Sequence, residues 1–257
     1  MPYSETHGQW EALASSWIHR CQEGEPNREG MLDRWMLTTL GGISGLRIVD
    51  LGCGEGRFCR MLSRQGASSV LGIDLCERLI KEAIAQKTSS AEHYQIENAE
   101  TLNSVEDQSF DIAVSYVSLV DIADLGAVIA SSYRVLKPGG RFVVCNLAPM
   151  ATAQNARITD PDGTRTAFRV DYYFDESTRA SRILGHELTN YHRTFSTYIN
   201  GFLRAGYVLQ GIYEPRPEQV DLVRYPELTN ELRAPGFVIY DLLKPFSEST
   251  QAGTLSR

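Results

Sequence analysis

Short apolar runs alternate with stretches of helical periodicity through the first half of the chain. The runs predict strands at residues 46–51, 70–75, 93–96, 110–116 and 141–147. Between them, apolar positions three and four residues apart predict helices at 56–65, 77–87 and 124–136. The last helix is ended by a Lys137-Pro138-Gly139-Gly140 turn. Strands that alternate with helices form βαβ units, so the pattern predicts an α/β fold with a mostly parallel sheet covered by helices on both faces.

The segment before the first strand has helical periodicity only. Apolar residues at positions 10, 13, 14, 17 and 18 predict one helix, and residues 31–40 repeat the pattern. We assign residues 1–42 to an N-terminal helical lid and residues 43–149 to the core of the fold.

The chain becomes polar and irregular after Pro149. We predict that residues 150–193 are an insertion that caps the substrate, with a turn at 160–163 and strands at 168–174 and 182–191 that can pair as one hairpin. Thr194 or Ser196 is expected to cap a helix that ends near Ala205, and strands at 207–213 and 237–243 complete the core over residues 194–246. Residues 247–257 are small and polar, which predicts a flexible tail.

Composition narrows the class of protein. The 257 residues are 42% hydrophobic and carry a net charge of −7, which disfavours binding to long nucleic acids through their phosphates. The five cysteines contain no CxxC pair, so neither a zinc site nor a disulfide framework is indicated. The chain shows no signal segment and no apolar run near the ~20 residues of a membrane span. These features predict a cytoplasmic protein.

The stretch Ile48–Arg57 carries the strongest chemical signal. A buried strand ends in Asp50, a G-x-G-x-G turn follows, and a helix begins directly after it. Glycines at such a turn let the backbone approach a nucleotide-like ligand closely. The spacing differs from the G-x-G-x-x-G of dinucleotide folds, and the Lys-Ser or Lys-Thr of a phosphate loop is absent.

Four motifs in order resemble those of class I S-adenosylmethionine-dependent methyltransferases, and in particular the small-molecule group of ubiquinone and menaquinone type, methyltransferase type 11. They are the glycine turn, the acid in Gly72-Ile73-Asp74-Leu75-Cys76, the strand Phe110–Ser115, and Arg134–Phe142 with its Pro-Gly-Gly turn. The resemblance implies a Rossmann-like sheet of seven strands, the last inserted antiparallel, and S-adenosyl-L-methionine as cofactor.

The resemblance also implies which residues bind the cofactor. The turn residues Gly52, Cys53, Gly54 and Gly56 would close on its methionine part. Asp50 would lie near the amino group.

Asp74, followed by Leu75, would accept hydrogen bonds from the ribose hydroxyls.

The remaining cofactor contacts follow from the same resemblance. Asn98, Ala99 and Glu100 would lie beside the adenine, although Asn98 replaces the acid that is usual in the family. Ser115 and Tyr116 would lie under the sulfonium, and Trp17 would reach the cofactor from the lid.

Few side chains can act as a catalytic base. His192 is the leading candidate for a base or for a residue that orients the substrate, because it lies in a segment similar to one that borders the substrate cavity of such enzymes. His186 shares its strand face and is a weaker candidate, and Tyr116 is a third. A backbone-bonded histidine near a helix start is the competing interpretation of His192. No metal site is predicted.

Aromatic residues in the lid and the insertion suggest an apolar, planar acceptor. They are Trp10, Trp17, Tyr172, Tyr173, Phe174, Tyr191 and Tyr198. We therefore expect methyl transfer to an O, N or C atom of a small molecule, in specialised metabolism or quinone-like biosynthesis. The alternatives are a methyltransferase for macromolecules, an NAD-dependent oxidoreductase and a non-catalytic cofactor-binding scaffold. The sequence leaves a monomer and a homodimer equally open.

Overall fold

The computed structural model describes residues 5–161 and 165–246. Its strands, in chain order, are β1 (Arg47–Leu51), β2 (Ser69–Asp74), β3 (Glu92–Ile96), β4 (Phe110–Tyr116), β5 (Leu136–Leu147), β6 (Gln154–Thr159), β7 (Arg165–Asp171), β8 (Thr178–Ile183), β9 (His186–Tyr191), β10 (Val208–Tyr213) and β11 (Phe237–Leu243). The tail at 247–257 and part of the expected turn at 160–163 lie outside the described residues.

The α-helices have the following bounds. They are α1 (Glu5–Glu23), α2 (Asp33–Leu40), α3 (Arg57–Arg64), α4 (Glu77–Ala85), α5 (Leu125–Val135), α6 (Pro149–Thr152), α7 (Phe195–Arg204) and α8 (Gln219–Arg224). A π-helical turn, Arg28–Leu32, precedes α2. Within the described parts of the chain, no helix is long and apolar enough to cross a membrane.

Seven strands form one sheet in the order β10-β11-β5-β4-β1-β2-β3. Strands β1 to β5 pair in parallel, whereas β11 runs antiparallel to both β5 and β10. This confirms the predicted seven-stranded, mostly parallel sheet. Because the order reverses between β1 and β4, a crevice opens at the carboxyl ends of these two strands, which is where open α/β sheets bind ligands.

The central strands are buried on both faces. In β1, Val49 and Leu51 pack with α5 and α7, while Ile48 packs with α2 and α3 on the other face. Helices on both sides explain why the parallel strands read as continuous apolar runs rather than as alternating ones. The cores hold the strand ends, and hence the crevice, in a fixed geometry.

Strand β5 begins earlier than the sequence suggests. The Lys137-Pro138-Gly139-Gly140 segment is a bulge within the strand rather than a free turn, because the register against β4 moves from Leu136 to Arg141. Gly139 donates its N–H to the Lys244 carbonyl, and the Lys244 N–H donates to Gly140. Pairing with the end of the chain therefore keeps this segment extended.

The insertion contains two separate hairpins, so the single hairpin expected from residues 168–174 and 182–191 is wrong. Strand β7 pairs with β6, and β9 pairs with β8. Leu184 and Gly185 both have positive φ, which allows the two-residue turn between β8 and β9. A tight turn favours pairing with the adjacent strand over pairing across the longer polar link.

The start of α7 is as predicted. Thr194 is its N-cap, and its side chain accepts a hydrogen bond from the Thr197 N–H. Ser196, the alternative cap, is exposed. The cap fixes where the chain turns from β9 into α7, close to the residues that follow β4.

Candidate active site

A cavity of about 810 Å³ lies at the carboxyl edge of the sheet. Its floor comes from the ends of β1, β2 and β4, and helix α1 and the π-helical turn contribute to its walls. Among the described residues, the lining includes eleven of the predicted site residues. These are Trp17, Asp50, Gly52, Cys53, Gly54, Asp74, Leu75, Asn98, Ala99, Glu100 and Tyr116.

The three glycines of the turn have different surroundings. Gly52 has φ +79°, and a Cβ there would lie 2.4 Å from the Cβ of Ser118. A Cβ on Gly54 would meet no atom within 4 Å, because that position borders open space. Gly56 does not line the cavity, and a Cβ on it would lie 2.7 Å from the Tyr94 ring. Gly56 is therefore required for packing, whereas Gly52 and Gly54 form the surface of the cavity.

Two buried carboxylates at the glycine turn have unsatisfied oxygens. Asp50 accepts a hydrogen bond from the Cys59 thiol at 3.3 Å through Oδ2, but Oδ1 has no partner. The Cys21 thiol lies near the Glu55 carboxylate. No other described group hydrogen-bonds to either Glu55 oxygen. Burial raises the pKa of Asp50 to about 7. Groups of this kind are suited to binding a cationic ligand group.

Asp74 connects the glycine turn to the next helix. Its Oδ2 accepts from the Gly54 N–H and its Oδ1 from the Cys76 N–H, both at 2.9 Å. Burial raises the pKa of this carboxyl, and the two backbone hydrogen bonds oppose the rise. Each oxygen keeps a lone pair for a ligand hydroxyl at the cavity surface.

The Asn98–Glu100 turn follows β3 and also lines the cavity. Asn98 Oδ1 accepts from the Glu100 N–H at 2.9 Å, and its amide donates to Glu100. The Glu100 side chain also accepts from the Asp124 N–H at 2.9 Å. Because these side chains hold the loop, Ala99 and the backbone around it are the parts left to face a ligand.

Arg28 reaches the cavity from the π-helical turn. Its guanidinium lies 4.8 Å from the ring centroid of Trp17 and 5.6 Å from that of Tyr116. It makes no ion pair with a described residue, although its charge lowers the pKa of Asp50. From the sequence, Arg28 and Arg20 are both candidates to pair with a carboxylate of the substrate or cofactor, although a surface arginine is the more usual interpretation.

Tyr116 lines the cavity with its ring, but its hydroxyl is directed elsewhere. The hydroxyl donates to Asp33 at 2.9 Å, and burial raises the pKa of Tyr116 well above its usual value. A phenol in this state cannot accept a proton at neutral pH, so the structure does not support Tyr116 as a base. Ser115 lies below the surface, bonded to Ser118 at 2.6 Å, and does not line the cavity.

The structure does not bring the two histidine candidates to the cavity. His192 is buried, with Nδ1 2.8 Å from the Thr152 hydroxyl and Nε2 2.8 Å from the Tyr173 carbonyl. Both ring nitrogens are therefore used to join α6 to the segment that precedes β8. His186 is at the start of β9 and likewise absent from the lining. The expected role of either residue as a base does not agree with this geometry.

The aromatic residues of the insertion also lie away from the cavity. Tyr172 and Phe174 are 61% and 89% exposed, and Tyr198 belongs to the core. Only Trp10 and Trp17 of the expected aromatic set line it. The lining residues outside the predicted site set include Arg28, Glu55 and Asp121. Glu55 lies in the glycine turn after β1 and Asp121 in the 3₁₀ turn after β4, at the carboxyl side of the sheet where open α/β sheets bind ligands.

Comparisons with known proteins agree with this site. Residues 49–144 match a family model described as a methyltransferase domain. The chain is 30% identical to the solved structure of an S-adenosylmethionine-dependent methyltransferase from Mesorhizobium loti, with a TM-score of 0.72 over 86% of this chain and 99% of that chain. A structure from Listeria monocytogenes assigned to the same class is 32% identical, with a TM-score of 0.74 over 82% and 95% of the two chains.

A ubiquinone biosynthesis O-methyltransferase from Leptothrix cholodnii is more distant. It is 30% identical over 109 residues, which are 41% of this chain and 46% of that protein. The match thus spans less than half of that relative. The two solved structures extend the similarity to most of the chain, and with the sheet order and the glycine turn they show that the chain belongs to the class I S-adenosylmethionine-dependent methyltransferases of the type 11 group.

Proposed function

We propose that the protein transfers a methyl group from S-adenosyl-L-methionine to a small, apolar or aromatic molecule. The observation that carries the proposal is the cavity where the glycine turn, Asp74 and the lid helix α1 meet. Its volume of about 810 Å³ is within the roughly 300–1,000 Å³ of small-molecule pockets. S-adenosyl-L-methionine supplies an activated methyl group on a sulfonium and leaves as S-adenosylhomocysteine.

The polar groups of the cavity fit the parts of this cofactor. We assign the free Oδ1 of Asp50 and the Glu55 carboxylate to the amino group, and Arg28 to the carboxylate of the methionine part. Asp74 is assigned to the ribose hydroxyls. The Asn98–Glu100 turn is assigned to the adenine.

The walls of the cavity favour a small acceptor. Helix α1 contributes Trp10 and Trp17, and its Gln9 side chain bonds to Thr189 of β9 through two hydrogen bonds of 2.8 and 3.1 Å. These two bonds attach the lid helix to β9, and a lid fixed in this way favours a small acceptor over an extended polymer. The 109-residue match to a ubiquinone biosynthesis O-methyltransferase supports a quinone-like acceptor.

The first experiment is binding followed by turnover. Calorimetry with S-adenosylhomocysteine and NADH should show binding of the former alone. Methyl transfer should then occur with members of a panel of quinols, phenols and small amines, and not with RNA, DNA or protein. Turnover confined to a macromolecule would overturn the small-molecule proposal.

Binding of S-adenosylhomocysteine should weaken as the pH falls through about 7. An ammonium beside Asp50 requires that carboxyl to be ionised, and in the free protein its pKa is about 7. Lowering the pH below this value protonates Asp50 before binding, so the Kd should rise by up to about tenfold per pH unit. Calorimetry across the range would measure this. Asp50→Asn should bind more weakly and with little pH dependence, whereas exposed Asp171→Asn should behave as the wild type.

Arg28→Met should weaken binding of S-adenosylhomocysteine by about tenfold or more, because a charge-assisted pairing with the ligand carboxylate is lost. Binding of methylthioadenosine, which lacks that carboxylate, should change less than about twofold. Arg20→Met, in helix α1 but outside the cavity lining, is the matched control. An equal loss for both ligands would instead indicate that Arg28 only supports the lid.

A further inference from the structure

Asp121 is a carboxylate of the cavity that the cofactor assignment leaves unused. It follows β4 in a short 3₁₀ turn, Leu119–Asp121, and lines the cavity beside Ser118 and Ile122. The Asn190 amide of β9 donates to its Oδ1 at 2.7 Å, and the Trp10 side chain of α1 also hydrogen-bonds to it. Asp121 thus lies where the strand end, the lid and the second hairpin meet.

The other described lining carboxylates are engaged. Glu97 accepts from the backbone and hydroxyl of Ser104, Glu100 accepts from the Asp124 N–H, and Asp124 caps α5 by accepting from Ala127. Asp50, Glu55 and Asp74 lie at the positions assigned to the cofactor. Asp121 differs from these acids, because the Asn190 and Trp10 side chains hold it and no cofactor group is assigned to it, so we take it as the lining carboxylate for an acceptor molecule.

The segment that carries Asp121 is held rigidly. The Arg193 guanidinium, almost fully buried, donates to the carbonyls of Leu119, Ile122 and Ala123 at 2.5 to 2.9 Å. Arg193 therefore fixes the backbone on both sides of the acid. Anchoring of this kind is what a group needs in order to meet a reacting atom reproducibly.

The surroundings of Asp121 favour proton uptake near neutral pH. Burial raises its pKa to about 7, the charge of Asp74 on β2 adds to the rise, and the hydrogen bonds from Asn190 and Trp10 oppose it. Tyr198 on α7 also interacts with its charge. His7 of α1 and Asp124 line the same cavity. A base with a pKa near the working pH is the most effective kind.

We infer that Asp121 accepts the proton of the methyl acceptor, so that the acceptor carries a dissociable X–H group, with Asn190 and Trp10 as positioning residues. The inference rests on the proposed methyl transfer. The X–H electron pair forms the new X–C bond, the proton moves to an Asp121 oxygen, and the pair of the broken C–S bond remains on sulfur. The proton is then released to water.

The first test uses two ligands of known structure and needs no acceptor. Sinefungin carries an amine where the transferred methyl group stands, and S-adenosylhomocysteine has no group there. Sinefungin has carbon in place of the sulfur, but the α-amino-acid end and the adenosine are the same in both ligands, so the titration of Asp50 cancels in the ratio of their Kd values. In the wild type, the Kd of S-adenosylhomocysteine divided by that of sinefungin should be about tenfold larger at pH 8.5 than at pH 5.5, because Asp121 is ionised at the higher pH.

In Asp121→Asn, which retains an oxygen to accept from Asn190, the ratio should not change with pH. Asp171→Asn should retain the wild-type profile. Failure of both ligands to bind the wild type would overturn the proposed function itself. Binding of both with a pH-independent ratio in the wild type would overturn the assignment of Asp121 alone.

The second test uses whichever panel member is methylated. At saturating cofactor, where the titration of Asp50 no longer limits binding, kcat of Asp121→Asn should fall about 100-fold and the acidic limb of the kcat–pH profile should disappear, while the KM for the cofactor stays within about threefold. Asn190→Ala removes a hydrogen bond to the ionised form, so the limb should move to higher pH. A structural role for Asp121 would leave the limb in place, and that result would refute the inference.

Discussion

Replacement of Asp74 by Ala is expected to weaken the binding of S-adenosylhomocysteine by about 100-fold or more. Two hydrogen bonds from the ribose to a charged acceptor, each contributing about 1.5 kcal/mol, account for roughly 3 kcal/mol. The substitution also releases the Gly54 and Cys76 N–H groups, which Asp74 now holds at 2.9 Å. The glycine turn would lose one of its fixed contacts at the same time.

Calorimetry of the variant and of a matched control would measure the effect. Glu77→Ala removes a carboxylate only three residues along the chain, but this one is exposed and paired with Lys81. The Glu77→Ala variant should bind S-adenosylhomocysteine as tightly as the wild type does. Binding by Asp74→Ala within about threefold of the wild type would show that the ribose does not use this carboxylate.

Gly52→Ala should lower the free energy of unfolding by about 2–5 kcal/mol. A left-handed backbone costs an alanine about 1–2 kcal/mol, and overpacking costs about 1–3 kcal/mol more. The new Cβ would lie 2.4 Å from the Cβ of Ser118. Ser118 cannot move freely, because its hydroxyl bonds to the Leu51 carbonyl and to Ser115, both at 2.6 Å. Urea denaturation would measure the loss.

Gly54→Ala tests the cost of a left-handed backbone without a steric clash of the new Cβ. This residue also has a left-handed backbone, at φ +57°, but open space surrounds the new Cβ. Its unfolding free energy should fall by only about 1–2 kcal/mol, while ligand binding weakens because the methyl group narrows the cavity. Equal loss of stability in the two variants would show that Ser118 does not restrict Gly52.

The sequence alone predicted the order of strands and helices in the core well. The bounds of β4 and β11 agree to the residue, and those of β1 and β2 agree within one residue. Strands buried on both faces and amphipathic helices leave periodicities of this kind because their neighbours along the chain determine them. The glycine turn and Asp74 were predicted for the same reason, since turn geometry and strand ends are local features.

The insertion shows where local patterns do not suffice. Its polar strands resemble loops in composition, and only the pairing of β6 with β7 and of β8 with β9 makes them regular. Similarly, His192 has the sequence context of a site residue, but Thr152 and Tyr173 occupy both of its ring nitrogens. Neither partner is near it in the chain.

The sequence by itself therefore determined the fold class, the family and the cofactor pocket. Tertiary structure alone decided which polar groups share the cavity. It placed Arg28 against Tyr116, joined Tyr116 to Asp33, and brought Asn190 to Asp121 across 69 residues of chain. The physical reason is that strands and turns arise from interactions between near neighbours, whereas the chemistry of the site depends on contacts between distant segments that form only when the core packs.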